Sequence, residues 1–309
     1  MSLYILRRLG WTVIALLGII IVNFAIIHAL PVNFAKVVAG QHATAVTLEE
    51  IDKAYGFNLP VWMQFWIYFK GLVSGNLGYS YVLHTSVTQM VSQAAPRTLY
   101  LAIVAVILEL LIGIPLGLWV AQRAGTWIDS AVTTMAVVGI SIPTFAVGSG
   151  LLFLFAYTLG WFPLNGYAPF PNIRYVFLPA LSYAITGAAI YARLLRQSVL
   201  DMKTMDHVRT ARAKGLSDRA VLLRHITRNA LIPVVTFFGL DFGGLLGGLI
   251  ITENIFGWPG LGLMTFQAIS VLDVPTIMGT VIFAAACIVL MNLVVDVAYA
   301  FLDPRISYS

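Results

Sequence analysis

Along most of this chain apolar residues do not alternate with polar ones; they run on. Six runs approach or exceed the roughly 17–25 residues that a helix rising about 1.5 Å per residue needs to cross a bilayer. They are Leu9–Leu30, Thr98–Ala121, Ser130–Thr158, Tyr175–Ala192, Leu231–Thr252 and Thr276–Leu302. A backbone in lipid must satisfy its own hydrogen bonds, so the pattern predicts an all-α integral membrane protein with six transmembrane helices. It divides the chain into a tail and first helix (1–30), an external segment with short helices (31–97) and a five-helix core (98–309). A polar cytoplasmic segment, 193–229, interrupts that core.

Inside the runs, punctuation predicts how the helices bend and meet. Pro115, Pro143 (in "GISIPTFAVG") and Pro179 each remove a backbone donor and predict kinks. Gly113 and Gly117, and the series 239, 243, 247 beside 244 and 248, put small residues four apart, as closely packed helices require. In the external segment, "TLEE" (Thr47–Glu50) reads as a capping box, and Gly56 as the left-handed residue after a short helix. Pro60 then opens a second helix, "VWMQFWIYFKGLVSG", whose aromatics suit either the membrane boundary or packing on the external helix ends.

Composition agrees with this picture. The 309 residues are 60% hydrophobic and 10% charged, with a mean hydropathy of +0.89; soluble chains are about a quarter charged. The lone cysteine, Cys287, permits no intrachain disulfide. Arg7 and Arg8 precede a first apolar run too long, and too poorly ended at "HALPVNF", for a cleaved signal, so an uncleaved first helix is expected.

Charge sets the orientation. With the N-terminus inside, thirteen of the 18 lysines and arginines fall on the inner side and five outside, which predicts that both termini are cytoplasmic. Nine of the 18 lie between Arg193 and Asn229. The net charge of +5 therefore needs no nucleic-acid partner; positive-inside bias and anionic lipid explain part of the cluster.

The cluster has internal structure as well. Asp206 reads as an N-cap, "HVRTARAK" as a helix about 12 Å long, and Gly215 as its C′ residue. Ser217 reads as a second N-cap, with Asp218 in the following turn. Val208, Ala211 and Ala213 are small, and Arg209 and Arg212 share a face. Such a helix suits a groove on another protein better than a lipid surface, which favours larger apolar residues.

Three acids fall within the runs: Glu109, Asp241 and Asp296. Each costs about 2.5–3.5 kcal/mol at the centre of a bilayer, so each must face protein or water. Glu109, Ser141, Asp241 and Asn254 are the candidate lining of a polar pathway. The sequence holds no G-x-x-x-x-G-K-[ST], no H-E-x-x-H and no G-x-S-x-G. A membrane enzyme lacks its catalytic constellation, and any use of ATP must lie on another chain. A self-sufficient channel or secondary transporter would place charge deep in the spans, as Glu109 does, and often carry an inverted repeat, which is not found.

Six segments in order carry a resemblance. They are "YILRRLG", "GNLGYS" (75–80), "RTARAKGLSDRAVLLRHITRNALIPVV", "TENIFGWPGLG" (252–262), "DVPTIMG" (273–279) and "NLVVDVAYAFLDPRI" (292–306). Together they resemble ABC-importer permeases of the dipeptide, oligopeptide and nickel branch, and the long first external segment resembles the B-type subunit. The wider family pattern is Glu-Ala-Ala-x-x-x-Gly; this chain has Arg209-Thr210-Ala211 before Gly215, so no role transfers to the acidic position. The resemblance implies the type I importer architecture in a prokaryotic cell membrane. It implies a heterodimer with a homologous C-type permease, an external substrate-binding protein, and two cytoplasmic ATPases that hold ATP and Mg²⁺, with no cofactor on this chain. It implies peptide cargo, with nickel complexes or glutathione in some relatives. It also implies that Asp206, His207, Val208, Arg209, Thr210, Ala211, Arg212, Ala213, Lys214, Gly215 and Leu216 contact the ATPases.

Overall fold

Helices dominate the chain. The computed structural model describes residues 2–29, 35–36, 45–246 and 249–302. Among these, four helices are long and apolar enough to cross a membrane: Leu6–Ala29, Val87–Gln122, Ile173–Lys203 and Val274–Val295. Two bent pairs, Trp127–Ser141 with Thr144–Thr158 (96°) and Asp218–Ala230 with Ile232–Leu246 (43°), bring the number to six if each pair is one span.

The chain forms two compact units, interleaved in sequence. The first comprises Met1–Thr98, Leu246–Ile250 and Pro259–Ser309. Here α1 (Ser2–Ala29) packs along α13 (Val274–Leu302), burying Phe24, Ile27 and Met278. Asn23 Nδ2 donates to the Met278 carbonyl at 3.2 Å. Two short helices follow, α2 (Ala45–Tyr55) and α3 (Val61–Val73). Thr47 lies inside α2, so the capping-box expectation fails: a cap residue must leave helical geometry, and Thr47 does not. The expectations for Gly56, at φ +73°, and for Pro60 just before α3 hold.

Phe65 of α3 packs edge-on against Phe24, whereas Trp62 and Trp66 are exposed. The packing reading of the aromatic helix therefore holds for Phe65. Burial pushes the Tyr68 phenol up to about 12, against a hydrogen bond from Asn23. A two-residue hairpin, β1 (Tyr79–Ser80) with β2 (Thr85–Ser86), is pinned to the start of α13, where Ser80 Oγ and Thr276 Oγ1 donate to Asp273 Oδ2 at 2.5 and 2.7 Å.

The second unit spans Leu99–Leu245 and Ile251–Trp258. It holds most of α4 (Val87–Gln122), then α5 (Trp127–Ser141), α6 (Thr144–Thr158), α7 (Ile173–Lys203), α8 (Asp206–Ala213), α9 (Asp218–Ala230), α10 (Ile232–Leu246) and most of α11 (Ile250–Ile255). The last helix before α13, α12 (Leu261–Ser270), belongs to the first unit. Gly113 and Gly117 bring α4 against α7: a Cβ on either would meet the Ala188 or Ala192 carbonyl oxygen at 2.8 or 2.7 Å. Of the second glycine series, Gly239 and Gly243 are buried and Gly244 is exposed; 247 and 248 lie outside the described residues.

The three prolines behave differently. Pro115 and Pro179 sit within unbroken helices, while Pro143 ends one helix and starts the next. Ile142 is extended (ψ 125°), the conformation a following proline imposes, and it turns the run sharply. The side chain of Asp296, on α13, is outside the described part of the chain.

Candidate coupling helix and buried acid pair

The basic segment starts later than its composition suggests. Arg193 and Arg196 belong to α7, which continues without a break to Lys203. This extension is bonded to its surroundings. Arg196 Nε and Nη2 reach Asp129 Oδ1 and Oδ2 at 2.6 and 2.7 Å, and Gly125 N donates to the same carboxylate at 2.9 Å. Lys203 Nζ donates to the Ala121 carbonyl at 2.6 Å, closing the C-terminal end of α4. Nothing local in the sequence signals a pair separated by 67 positions.

After α7 the chain turns at Thr204 and Met205 into α8. Met205 is the N-cap and Asp206 is the first helical residue, so the N-cap expectation is off by one. Asp206 still places an acid in the first turn, where it meets Arg209 at 3.7 Å. The C-terminal expectation holds. Gly215 has φ +77°; its N–H donates to the Arg212 carbonyl at 2.9 Å, and Leu216 N donates to the Ala211 carbonyl at 3.4 Å. These are the two bonds of a Schellman motif. Ser217 Oγ then accepts from Ala220 N at 3.4 Å and caps α9 as expected.

The orientation of α8 corrects one sequence-based idea. Val208 and Ala211 are not free for a partner's groove; they are buried with Tyr191, Leu195, Val199, Val221, Ile226 and Val234. An eight-residue helix is unstable alone, and burying Val208 contributes about 2 kcal/mol that holds it to its own chain. The opposite side presents Asp206, His207, Arg209, Thr210, Arg212, Ala213 and Lys214, with Leu216 just beyond. The exposed surface is polar and largely cationic, on a helix fixed to the ends of α7 and α9.

The second cluster lies between α4, α7 and α10. Glu109 is fully buried; its carboxyl is a hydrogen-bonding neighbour of the Asp241 carboxyl, and among the described residues neither of its oxygens meets an N–H or hydroxyl donor. Tyr191 Oη donates to Asp241 Oδ2 at 2.9 Å, and Tyr183 is a second hydrogen-bonding neighbour of Asp241. A Cβ on Gly187 would collide with the Glu109 carboxyl, which lies against bare α7 backbone. An unpartnered buried polar group costs about 1–3 kcal/mol or more. Ser141 and Asn254 are elsewhere: both are exposed, and Ser141 Oγ bonds only the Val137 carbonyl (2.8 Å) among the described residues. The structure thus joins two of the four candidate lining residues.

The sequence reading also missed the part played by the "TENIFGWPGLG" segment. Trp258 is fully buried between Tyr100 and Tyr167, and its backbone N–H donates to the Glu253 carbonyl at 2.8 Å. Glu253 is buried too, one position beyond the expected end of its apolar run.

Comparison with known proteins decides the family. Residues 113–308 match the binding-protein-dependent transport system inner membrane component, and residues 1–102 match the N-terminal domain of such membrane components. The chain belongs to this permease family. A relative is the glutathione transport system permease protein GsiC of Salmonella choleraesuis (strain SC-B67), 38% identical over 99% of both chains. GsiC of Escherichia coli (strain K12) is 37% identical over the same share. Among solved structures, an inward-facing form of the MetNI methionine ABC transporter shares the fold, with a TM-score of 0.58 and 18% identity over 70% of this chain and 97% of that one. The permease is accordingly a multi-pass membrane component of an ABC importer. It is a transport subunit and not an enzyme, with ATP hydrolysis on separate subunits.

Proposed function

We propose that this permease forms half of the translocation pathway for short peptides, glutathione among them, and that α8 is the element through which cytoplasmic ATPases drive it. The observation that carries the reading is 38% identity to a glutathione permease over 99% of both chains. The partners are a homologous C-type permease, two ATPases that bind ATP and Mg²⁺, and an external substrate-binding protein. The permease sits in the inner membrane with six spans and both termini cytoplasmic, the orientation supported by thirteen inner against five outer basic residues.

The route of coupling follows from packing. When ATP draws the ATPases together, the exposed side of α8 moves with them. Val208 and Ala211 pass the displacement to α7, α9 and α10, with which they share a core. ATP can bias the transporter only if α8 makes different contacts in the inward- and outward-open states.

The test is affinity purification of the full chain from its native host, followed by uptake in a deletion strain. The expected result is co-purification with a second permease and with ATPase chains carrying G-x-x-x-x-G-K-[ST], together with ATP-dependent uptake of labelled glutathione or dipeptides that needs the binding protein. A chain that purifies alone and transports without ATP contradicts the reading.

A further inference from the structure

Beyond coupling, the acid pair inside the second unit points to a ligand. The hydrogen-bonding neighbour of the Glu109 carboxyl is another carboxyl group, Asp241, and not a lysine or arginine. Glu109 exposes no surface, and apart from the Asp241 carboxyl neither of its oxygens has a hydrogen-bond partner among the described residues. On α7, Tyr183, Gly187 and Tyr191 are spaced four apart and so line one face of the helix. The Glu109 carboxyl rests on the middle position, and the tyrosine at either end bonds Asp241. A hydroxyl that donates its proton to Asp241 keeps its lone pairs as acceptors. The result is a concentration of oxygens in an apolar interior, with no lysine or arginine among the neighbours that act on Glu109.

We propose that Glu109 and Asp241, with the hydroxyls of Tyr183 and Tyr191, form a binding site for a monovalent cation, either an alkali-metal ion or the ammonium group of a cargo molecule. The donor set argues against a divalent ion, which gathers six or more oxygens and commonly several carboxylates; among the described residues no group of three or more histidine, cysteine or acidic side chains could hold a metal ion. Asp241 and Tyr183 are only half-buried, so the site has an open side. The ammonium source rests on the permease reading above; the alkali-ion source does not.

The experiment is equilibrium binding of ²²Na⁺ and of ¹⁴C-methylammonium to the assembled transporter in lipid nanodiscs, with N-methylglucamine as the background cation. Wild type is compared with Glu109→Gln and Asp241→Asn in this chain, and with Asp218→Asn as a control on the cytoplasmic surface. The expected result is saturable binding of at least one probe, weakened about tenfold or more by each of the first two substitutions and unchanged by the control. Sodium that methylammonium fails to displace identifies an alkali-ion site; saturable methylammonium identifies an ammonium site. Wild-type protein that binds neither probe overturns the proposal without reference to any variant, and means that the carboxyl pair is satisfied by a proton alone. Binding that survives either substitution in a correctly assembled transporter overturns it as well. Loss of co-purifying subunits would instead contradict the permease reading, so the two failures are distinguishable.

Discussion

Gly215 ends α8 through its backbone alone. Apart from its own chain neighbours, nothing lies within 4 Å of where its Cβ would be, so a side chain would fit; the constraint is φ +77°. Forcing an ordinary residue into that region costs about 1–2 kcal/mol, more for a β-branched one and less for asparagine. Gly215→Val should therefore insert normally yet lose most transport, whereas Gly215→Asn should keep most of it; uptake set against the amount of permease in the membrane checks both. Asp129 and Arg196 carry the complementary lesson. Their bidentate pair is mostly buried, with 7% and 22% of the side chains exposed, so removing one partner strands a charge. Asp129→Asn or Arg196→Gln alone should destabilise the permease by about 2–4 kcal/mol, and the double variant by clearly less than the sum. Thermal aggregation of the purified transporter measures this cycle; strict additivity would mean that the pair is not coupled. Gly215 and Ser217 were legible in the sequence because caps are local, within four residues. Asp129 and Arg196 were not, because their partnership exists only after two helices have packed.

At the scale of elements, apolar runs located the helices well and their ends poorly. The end of α7 is the main example: hydropathy stops near Ala192, while the helix continues through Arg193 and Arg196 to Lys203. Polar residues form helix readily, and here Asp129 and the Ala121 carbonyl supply partners that hydropathy does not register. Proline gave a similar partial answer. Its chemistry predicts the loss of one hydrogen bond at Pro115, Pro143 and Pro179 alike, but only at Pro143 does the preceding residue leave the helix. For α8, the residue pattern revealed the amphipathic face and misassigned its destination. Two small apolar residues three apart are equally good knobs for a partner's groove or for the helix's own bundle. The bundle takes them, because it is tethered a few residues away on both sides. That leaves the polar side exposed, a division visible only in three dimensions.

For the whole molecule, the feature most legible from sequence was what is missing: no nucleotide-binding motif on a chain otherwise built for transport. Family membership over the full length then supplies the motor as separate subunits. The interleaving of the two compact units was not legible, since Leu246–Ile250 and Ile251–Trp258 are adjacent in sequence and fall in different units. Coupling through the exposed side of α8 is the central claim, and site-specific photo-crosslinking tests it most directly. A photoreactive residue is placed in turn at His207, Arg209, Thr210, Arg212 and Lys214, and at the buried positions Val208 and Ala211, in the assembled transporter. The expected result is crosslinks to an ATPase chain from several of the first group, changing in yield when ATP is added, and crosslinks only within the permease from the second. Exposed positions that capture lipid or the permease alone, with or without ATP, would contradict it.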